Sequence, residues 1–218
     1  TSGFKPQQKL PKNWPPNLTY LTSPIYSASI TPELRASLTT TTTSPSASPP
    51  SSNPTPTNPI TTHPPSPFRL PAGPSPHVRI APITTPAHPA HAQHGLFAAT
   101  HLPPSSPIVL YLGVVHDSSS SDPTSSYDLS LDRDRGLGVD ARRCGNEARF
   151  VNDYRGVRPL GPNAEFRDVW VEVGRGRRER MVGVFVVGVG RMGRGKRGIA
   201  KGEEVVVSYG KGFWKGRR

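Results

Sequence analysis

The chain has 218 residues, of which 27 are proline and 21 glycine, carries a formal net charge of +12, and is only 33% hydrophobic. This leaves room for one compact domain with disordered sequence around it. The single cysteine, Cys144, excludes an internal disulfide framework and any Cys-rich zinc cluster built by this chain alone.

The longest nearly unbroken apolar run, Met181–Val189, is far short of the roughly 20 residues a membrane helix needs. No amino-terminal stretch joins basic residues to an apolar segment, so no signal peptide is expected. The chain starts at Thr1 rather than Met, which leaves open whether an upstream part belongs to it. The charge is uneven: residues 174–218 hold 13 Lys/Arg against 3 Asp/Glu, and residues 1–173 hold 14 against 12. A basic segment of this kind suits an anionic partner but does not name one.

In chain order, residues 1–38 read as an amino-terminal appendage, with Trp14, Tyr20, Leu21, Ile25, Tyr26, Ile30 and Leu34 as its apolar content; it is too small to fold alone. Residues 39–75 read as a disordered linker, because 23 of the 28 residues from 39 to 66 are Ser, Thr or Pro and bury too little to offset their ordering entropy. From residue 76 the pattern becomes that of short strands: Val78–Ile83, Gly95–Thr100, Ile108–Val115, Tyr127–Leu131, Val169–Val173, Met181–Val187 and Val205–Val207. Only Asn146–Asn152 reads as helical. The expected class is mainly β, with several small sheets and long loops.

Three motif matches fail on chemistry. Gly188–Gly193 spells G-x-G-x-x-G and Gly190–Lys196 spells G-x-x-x-x-G-K, but Gly195, Lys196, Arg197 and Gly198 will not start the helix a phosphate site needs, and Arg197 stands where a magnesium-binding hydroxyl belongs. His88, His91 and His94 recur every third residue, yet Pro86 and Pro89 break the helix that would align them, so no metal is expected. Cys144 has no local signature of a nucleophile.

The informative stretches are Cys144–Asn163, CGNEARFVNDYRGVRPLGPN, and Gly202–Trp214, GEEVVVSYGKGFW. They resemble the SET-domain protein-lysine methyltransferases, marked by R-F-x-N-H-x-C-x-P-N and then G-E-E-L-x-x-D-Y. The matching residues are Arg149, Phe150, Asn152, Pro162, Asn163, Gly202, Glu203, Glu204 and Tyr209. Upstream, HGLFAAT and the strand bearing Tyr111 and Gly113 resemble the family's opening, and Tyr127 sits where another active-site Tyr is common. Asp153 replaces the family's His, the following Cys is absent, and Ser208 replaces the Asp before the last Tyr. The motifs are closest to fungal SET-domain proteins and to plant histone H3 methyltransferases lacking a trailing zinc segment.

The resemblance implies a SET domain over residues 76–214, with a basic tail at 215–218 and a pseudoknot in which the Asn-bearing segment threads past the last strand. It implies S-adenosylmethionine as cofactor and methyl transfer to a lysine of a basic protein such as a histone tail. It makes Tyr209, Tyr111 and Tyr127 the catalytic candidates. The cofactor-binding candidates are His94, Gly95, Leu96, Phe97, Arg149, Phe150, Asn152, Asp153, Tyr209 and Trp214. A nuclear location, and nucleosomal DNA contact through residues 174–218, go with it. The alternative is a non-catalytic chromatin or nucleic-acid binder gripping phosphates through the Gly/Arg-rich segment; charge alone would not place Asn152, Asn163 and Tyr209 in the family's order. The acidic residues near Tyr127 (Asp117, Asp122, Asp128, Asp132, Asp134) are the expected peptide side.

Overall fold

The computed structural model describes residues 9–41, 68–191 and 197–210. The fold is mainly β, in several small sheets that form no closed barrel among the described residues.

The amino-terminal segment contributes β1 (Thr19–Tyr20), β2 (Ile25–Tyr26), the one-turn helix α1 (Pro32–Ser37) and β3 (Thr39–Thr41). Thr31 caps α1 by accepting the Leu34 amide, with proline in the first turn. Trp14, Tyr20, Leu21 and Leu38 are buried, so this segment is packed into the same core as the rest. The stretch read as linker is packed at both ends. Thr39–Thr41 pair with Arg177–Glu179, and Phe68 is buried edge-on to Phe185 at 5.3 Å. The serine, threonine and proline run from 42 to 67 lies outside the described residues.

β4 (Val78–Pro82) and β5 (His94–Ala98) form an antiparallel hairpin. The single strand expected at Ile108–Val115 is two, β6 (Pro107–Tyr111) and β7 (Val114–Asp117), lying in different sheets. The cause is Asn146, fully buried, whose side chain accepts the Leu112 amide and donates to the Leu110 carbonyl, taking over the backbone pairing there. β7 then pairs with β2 on one side and β9 (Leu137–Asp140) on the other, and β9 pairs with β8 (Asp128–Asp132).

The expected helix at Asn146–Asn152 is a 3-10 turn, Glu147–Phe150, between β10 (Cys144–Gly145) and β11 (Asn152–Asp153). Glu147 is buried there because it accepts from the Tyr20 hydroxyl and the Ser75 amide. β12 (Ala164–Gly174) and β13 (Arg177–Val186) make the longest hairpin, and β13 also carries β6 at one end and β3 at the other. Met181–Val186 are buried without alternation, the pattern of a strand covered on both faces; each such aliphatic contributes about 1.5–3 kcal/mol.

The last strand, β14 (Val206–Val207), runs parallel to β11. Asn163, fully buried, also holds it, exchanging two hydrogen bonds with Val206 and donating to the Glu204 carbonyl at 2.8 Å. The two ends of the 152–163 loop thus clasp one strand, and Tyr209 emerges from that clasp.

Candidate functional site

Two chambers open beside the clasp. The larger, about 450 Å³, is lined by Gln93, His94, Ser126, Tyr127, Arg149, Phe150, Asn152 and Tyr209. The smaller, about 240 Å³, is lined by Tyr111, Ser126, Tyr127, Asp128, Leu129, Arg149, Val151, Phe166, Ser208 and Tyr209. Ser126, Tyr127, Arg149 and Tyr209 line both. They form a common wall.

Tyr209, Arg149 and Tyr127 in that wall are held in place. The Tyr209 hydroxyl donates to the Val151 carbonyl at 2.7 Å, while its amide donates to Asp153 Oδ2 at 2.8 Å. Asp153 is itself paired with Arg155 at 2.8 Å. The Arg149 guanidinium lies 4.2 Å over the Tyr127 ring and 5.0 Å over Phe150, a stacked geometry that its planar, weakly hydrated head favours. Its Nε donates to the Ala141 carbonyl at 3.0 Å. Behind it, Phe150 meets Trp14 edge-on at 5.8 Å, so the amino-terminal segment buttresses the larger chamber.

The Tyr111 hydroxyl donates to the Tyr127 carbonyl at 2.7 Å. Burial, then the neighbouring Tyr209 and Asp140, hold its ionisation well above the ordinary tyrosine range. It is a neutral phenol whose proton is committed. Burial and Asp140 likewise push the Cys144 thiol up, which makes it inert.

Of the sequence-derived cofactor residues, His94, Arg149, Phe150, Asn152 and Tyr209 line the larger chamber. Gly95 lies next to it, close to Asn152. Leu96 is fully buried in the core, and its carbonyl accepts the Val205 amide at 2.8 Å. The Phe97 ring packs under Arg79, at 5.3 Å. Asp153 serves as a brace for Tyr209 and Arg155 rather than as chamber wall. Trp214 lies outside the described residues. The three tyrosines Tyr111, Tyr127 and Tyr209 all meet at the smaller chamber.

Sequence reasoning missed Ser126, which lies in a polar loop with nothing to mark it, and the partners of Asn152. Asn152 Nδ2 donates to Glu204 Oε1 at 2.8 Å, and His88 Nε2 lies 3.0 Å from Glu204 Oε2. His88 therefore belongs with Glu204, and among the described residues no three His, Cys, Asp or Glu side chains gather as a metal set.

The acidic peptide side is only partly neutralised by the fold. Asp132 is buried and paired with Arg135 and Arg180 at 2.8 and 2.9 Å. Asp122 pairs with Arg142 at 2.7 Å. Asp117 caps a 3-10 turn by accepting from Ser119 and Ser120. Asp128 alone of these lines a chamber, where it meets His116 at 2.9 Å.

Among solved structures the chain is similar to the Chaetomium thermophilum polycomb repressive complex 2, at 20% identity and TM-score 0.46, over 63% of this chain and 16% of that one. The same complex in an autoinhibited conformation bound to S-adenosylmethionine gives 20% identity and TM-score 0.47, over 65% of this chain and 16% of that one. KRYPTONITE in complex with mCHH DNA, H3(1–15) peptide and SAH gives 21% identity and TM-score 0.43, over 61% of this chain and 23% of that one. These are structures of SET-domain methyltransferases, and this chain spans less than a quarter of each. No family model and no curated protein matches the sequence.

Proposed function

We propose that this chain transfers a methyl group from S-adenosylmethionine to a lysine side chain of a protein, with a basic tail such as that of a histone as substrate. The observation that carries the reading is the common wall: a larger polar chamber and a smaller tyrosine-lined one meet at Tyr209, Tyr127 and Arg149. The order of the Arg149–Asn152, Asn163 and Gly202–Tyr209 motifs supports it independently.

The larger chamber fits a ligand with a zwitterionic end, because Asn152 and Arg149 offer amide and cationic contacts beside the edge of His94. Bound there, S-adenosylmethionine supplies an electrophilic methyl on a sulfonium. The chain does the rest. A lysine has an ordinary pKa of about 10.4 and must lose its proton to attack; a narrow chamber walled by Tyr111, Val151, Phe166 and Tyr209 disfavours the ammonium by desolvation. Tyr111 and Tyr209 spend their protons on backbone carbonyls, leaving oxygen lone pairs to orient the amine. The catalytic contribution is alignment across the wall. Arg175 and Arg177, exposed at the turn of the β12–β13 hairpin, support a phosphate contact with nucleosomal DNA, and with it a nuclear location.

The test is radiolabelled methyl transfer from S-adenosylmethionine to core histones and to other basic proteins. A labelled histone band is expected. Absence of label on every basic protein overturns the reading.

A further inference from the structure

The wall of the larger chamber is backed by one charge that the reaction above does not use. The Glu204 side chain is only 10% exposed. Its Oε1 accepts from Asn152 Nδ2 at 2.8 Å, and its Oε2 faces His88 Nε2 at 3.0 Å. His88 Nδ1 accepts the Ala90 amide at 3.0 Å, which requires a lone pair on that nitrogen. The ring is therefore the neutral tautomer with its single proton on Nε2, aimed at Glu204. Among the described residues no Lys or Arg nitrogen lies within 4.0 Å of this carboxylate; Arg158 goes to the adjacent Glu203, at 3.5 Å.

A buried carboxylate that meets only neutral donors leaves negative charge uncompensated, which is costly unless a cation binds close by. The approach to the chamber is built for closeness. A Cβ on Gly95 would sit 2.7 Å from Glu204 Oε1 and 3.2 Å from Asn152 Nδ2, so only glycine admits the pair at that point of β5. Asn152 gives one Nδ2 hydrogen to Glu204, which fixes the amide's orientation and leaves Oδ1, which can only accept, as its acceptor for a ligand.

We propose that His88, Glu204 and Asn152 form a relay that recognises a primary ammonium in the larger chamber: Asn152 Oδ1 accepts from it, Glu204 sits directly behind as its counter-charge, and His88 fixes Glu204. Glu204 and His88 are positioning residues acting through Asn152. The relay rests on the reading above, under which the ammonium is that of the methyl donor's amino-acid end. His88 comes from the loop closed by the Ile83 amide on the Gln93 carbonyl and the Ala92 amide on the Ile83 carbonyl, so that loop is tied through the ligand site to the residue two before the last strand.

The experiment is calorimetry on the full chain with S-adenosylhomocysteine and with its analogue lacking only the α-amine. Wild type is expected to prefer the amine-bearing ligand by about tenfold or more, the scale of a charge-assisted hydrogen bond. Glu204→Gln should erase most of that preference and leave affinity for the deaminated analogue unchanged, without lowering the melting temperature. His88→Ala should weaken the preference, and His88→Gln, which retains an N–H toward Glu204, should restore it. Equal loss for both ligands in Glu204→Gln, or no loss for either, overturns the relay while the methyltransferase reading stands. Failure of wild type to bind either ligand overturns that reading, and the relay with it.

Discussion

His88–Glu204 and His116–Asp128 are the same two kinds of side chain at nearly the same separation, 3.0 and 2.9 Å. One lies behind the larger chamber and the other beside the smaller. What differs is the backbone group at Nδ1. His88 faces the Ala90 N–H, a donor, whereas His116 faces the Asp117 carbonyl, an acceptor, at 2.9 Å. The first ring must be neutral. The second meets acceptors on both nitrogens and is suited to carry two protons. Burial works against a charged His116, but the Asp117 carbonyl and the Asp128 carboxylate outweigh it and raise its ionisation above the ordinary value. The charge of a His–carboxylate pair is thus set by the main chain beside it. Here it leaves the Glu204 carboxylate paired with a neutral ring behind one chamber and a closed ion pair beside the other.

The sharpest way to break this two-chamber picture is at the shared wall. Tyr209→Phe removes the hydroxyl held by the Val151 carbonyl. It should lower methyl transfer about a hundredfold, the scale of losing one oriented polar group in a reacting site, while affinity for S-adenosylhomocysteine changes little. Retained activity in a single-turnover assay would mean that the chambers do not meet at the reacting atoms.

Next in size is a pair of matched glycine substitutions, one per His–carboxylate pair. A Cβ on Gly138 would lie 2.7 Å from His116 Nε2 and 2.8 Å from Asp128 Oδ1. Gly138→Ala must push that ion pair apart, at about 1–3 kcal/mol by the usual cost of overpacking, read as a lowered denaturation midpoint. Gly95→Ala presses on Glu204 and Asn152 instead. Its main effect should be weaker cofactor binding, because the group displaced faces a ligand rather than closing a pair. If both variants show the same balance of lost stability and lost binding, the two pairs are not functionally distinct.

How much of this could be read from the sequence depends on what holds each part. β4, β5 and β14 were legible as short apolar runs between turn signals, because burial defines them. Thr39–Thr41 was not: three threonines look like linker, and they form a strand only because β13 offers an unpaired edge. β9, with its central Gly138, is too short and mixed to show a period. The split at Leu112 comes from Asn146, 34 residues away, and no local pattern reports such a side chain. The tyrosines of the smaller chamber were legible through motif resemblance. The relay was not, since His88 and Glu204 are 116 residues apart and proline spacing made His88 look idle.

A smaller effect tests the protonation difference directly. A raised His116 ionisation means the folded state holds a proton that the unfolded state has begun to release. Its stabilisation is therefore complete below the unfolded value, about 6.5, and is lost as pH rises through the higher folded one. Denaturation midpoints measured from about pH 6 to pH 8 should fall for wild type, and His116→Gln should flatten that part of the curve. A wild-type curve that rises over this range would assign His116 the same neutral state as His88.

The smallest expected effect separates Asp128 from its acidic neighbours. Asp122 and Arg142 form an ion pair whose side chains are 36% and 42% exposed, and water screens such pairs until they contribute almost nothing. Asp122→Asn should leave both the melting temperature and the KM for a basic peptide where they are. Asp128 is different because its carboxylate lines the smaller chamber while His116 and Ser121 hold it, so Asp128→Asn should raise that KM by a few-fold by breaking the pair with His116 at the chamber wall. Asp132 offers no such handle, its charge being taken by Arg135 and Arg180. A KM that responds to Asp122 as strongly as to Asp128 would mean that the peptide reads the diffuse charge of the whole loop, and that the structured pair beside the tyrosines has no special part in seating it.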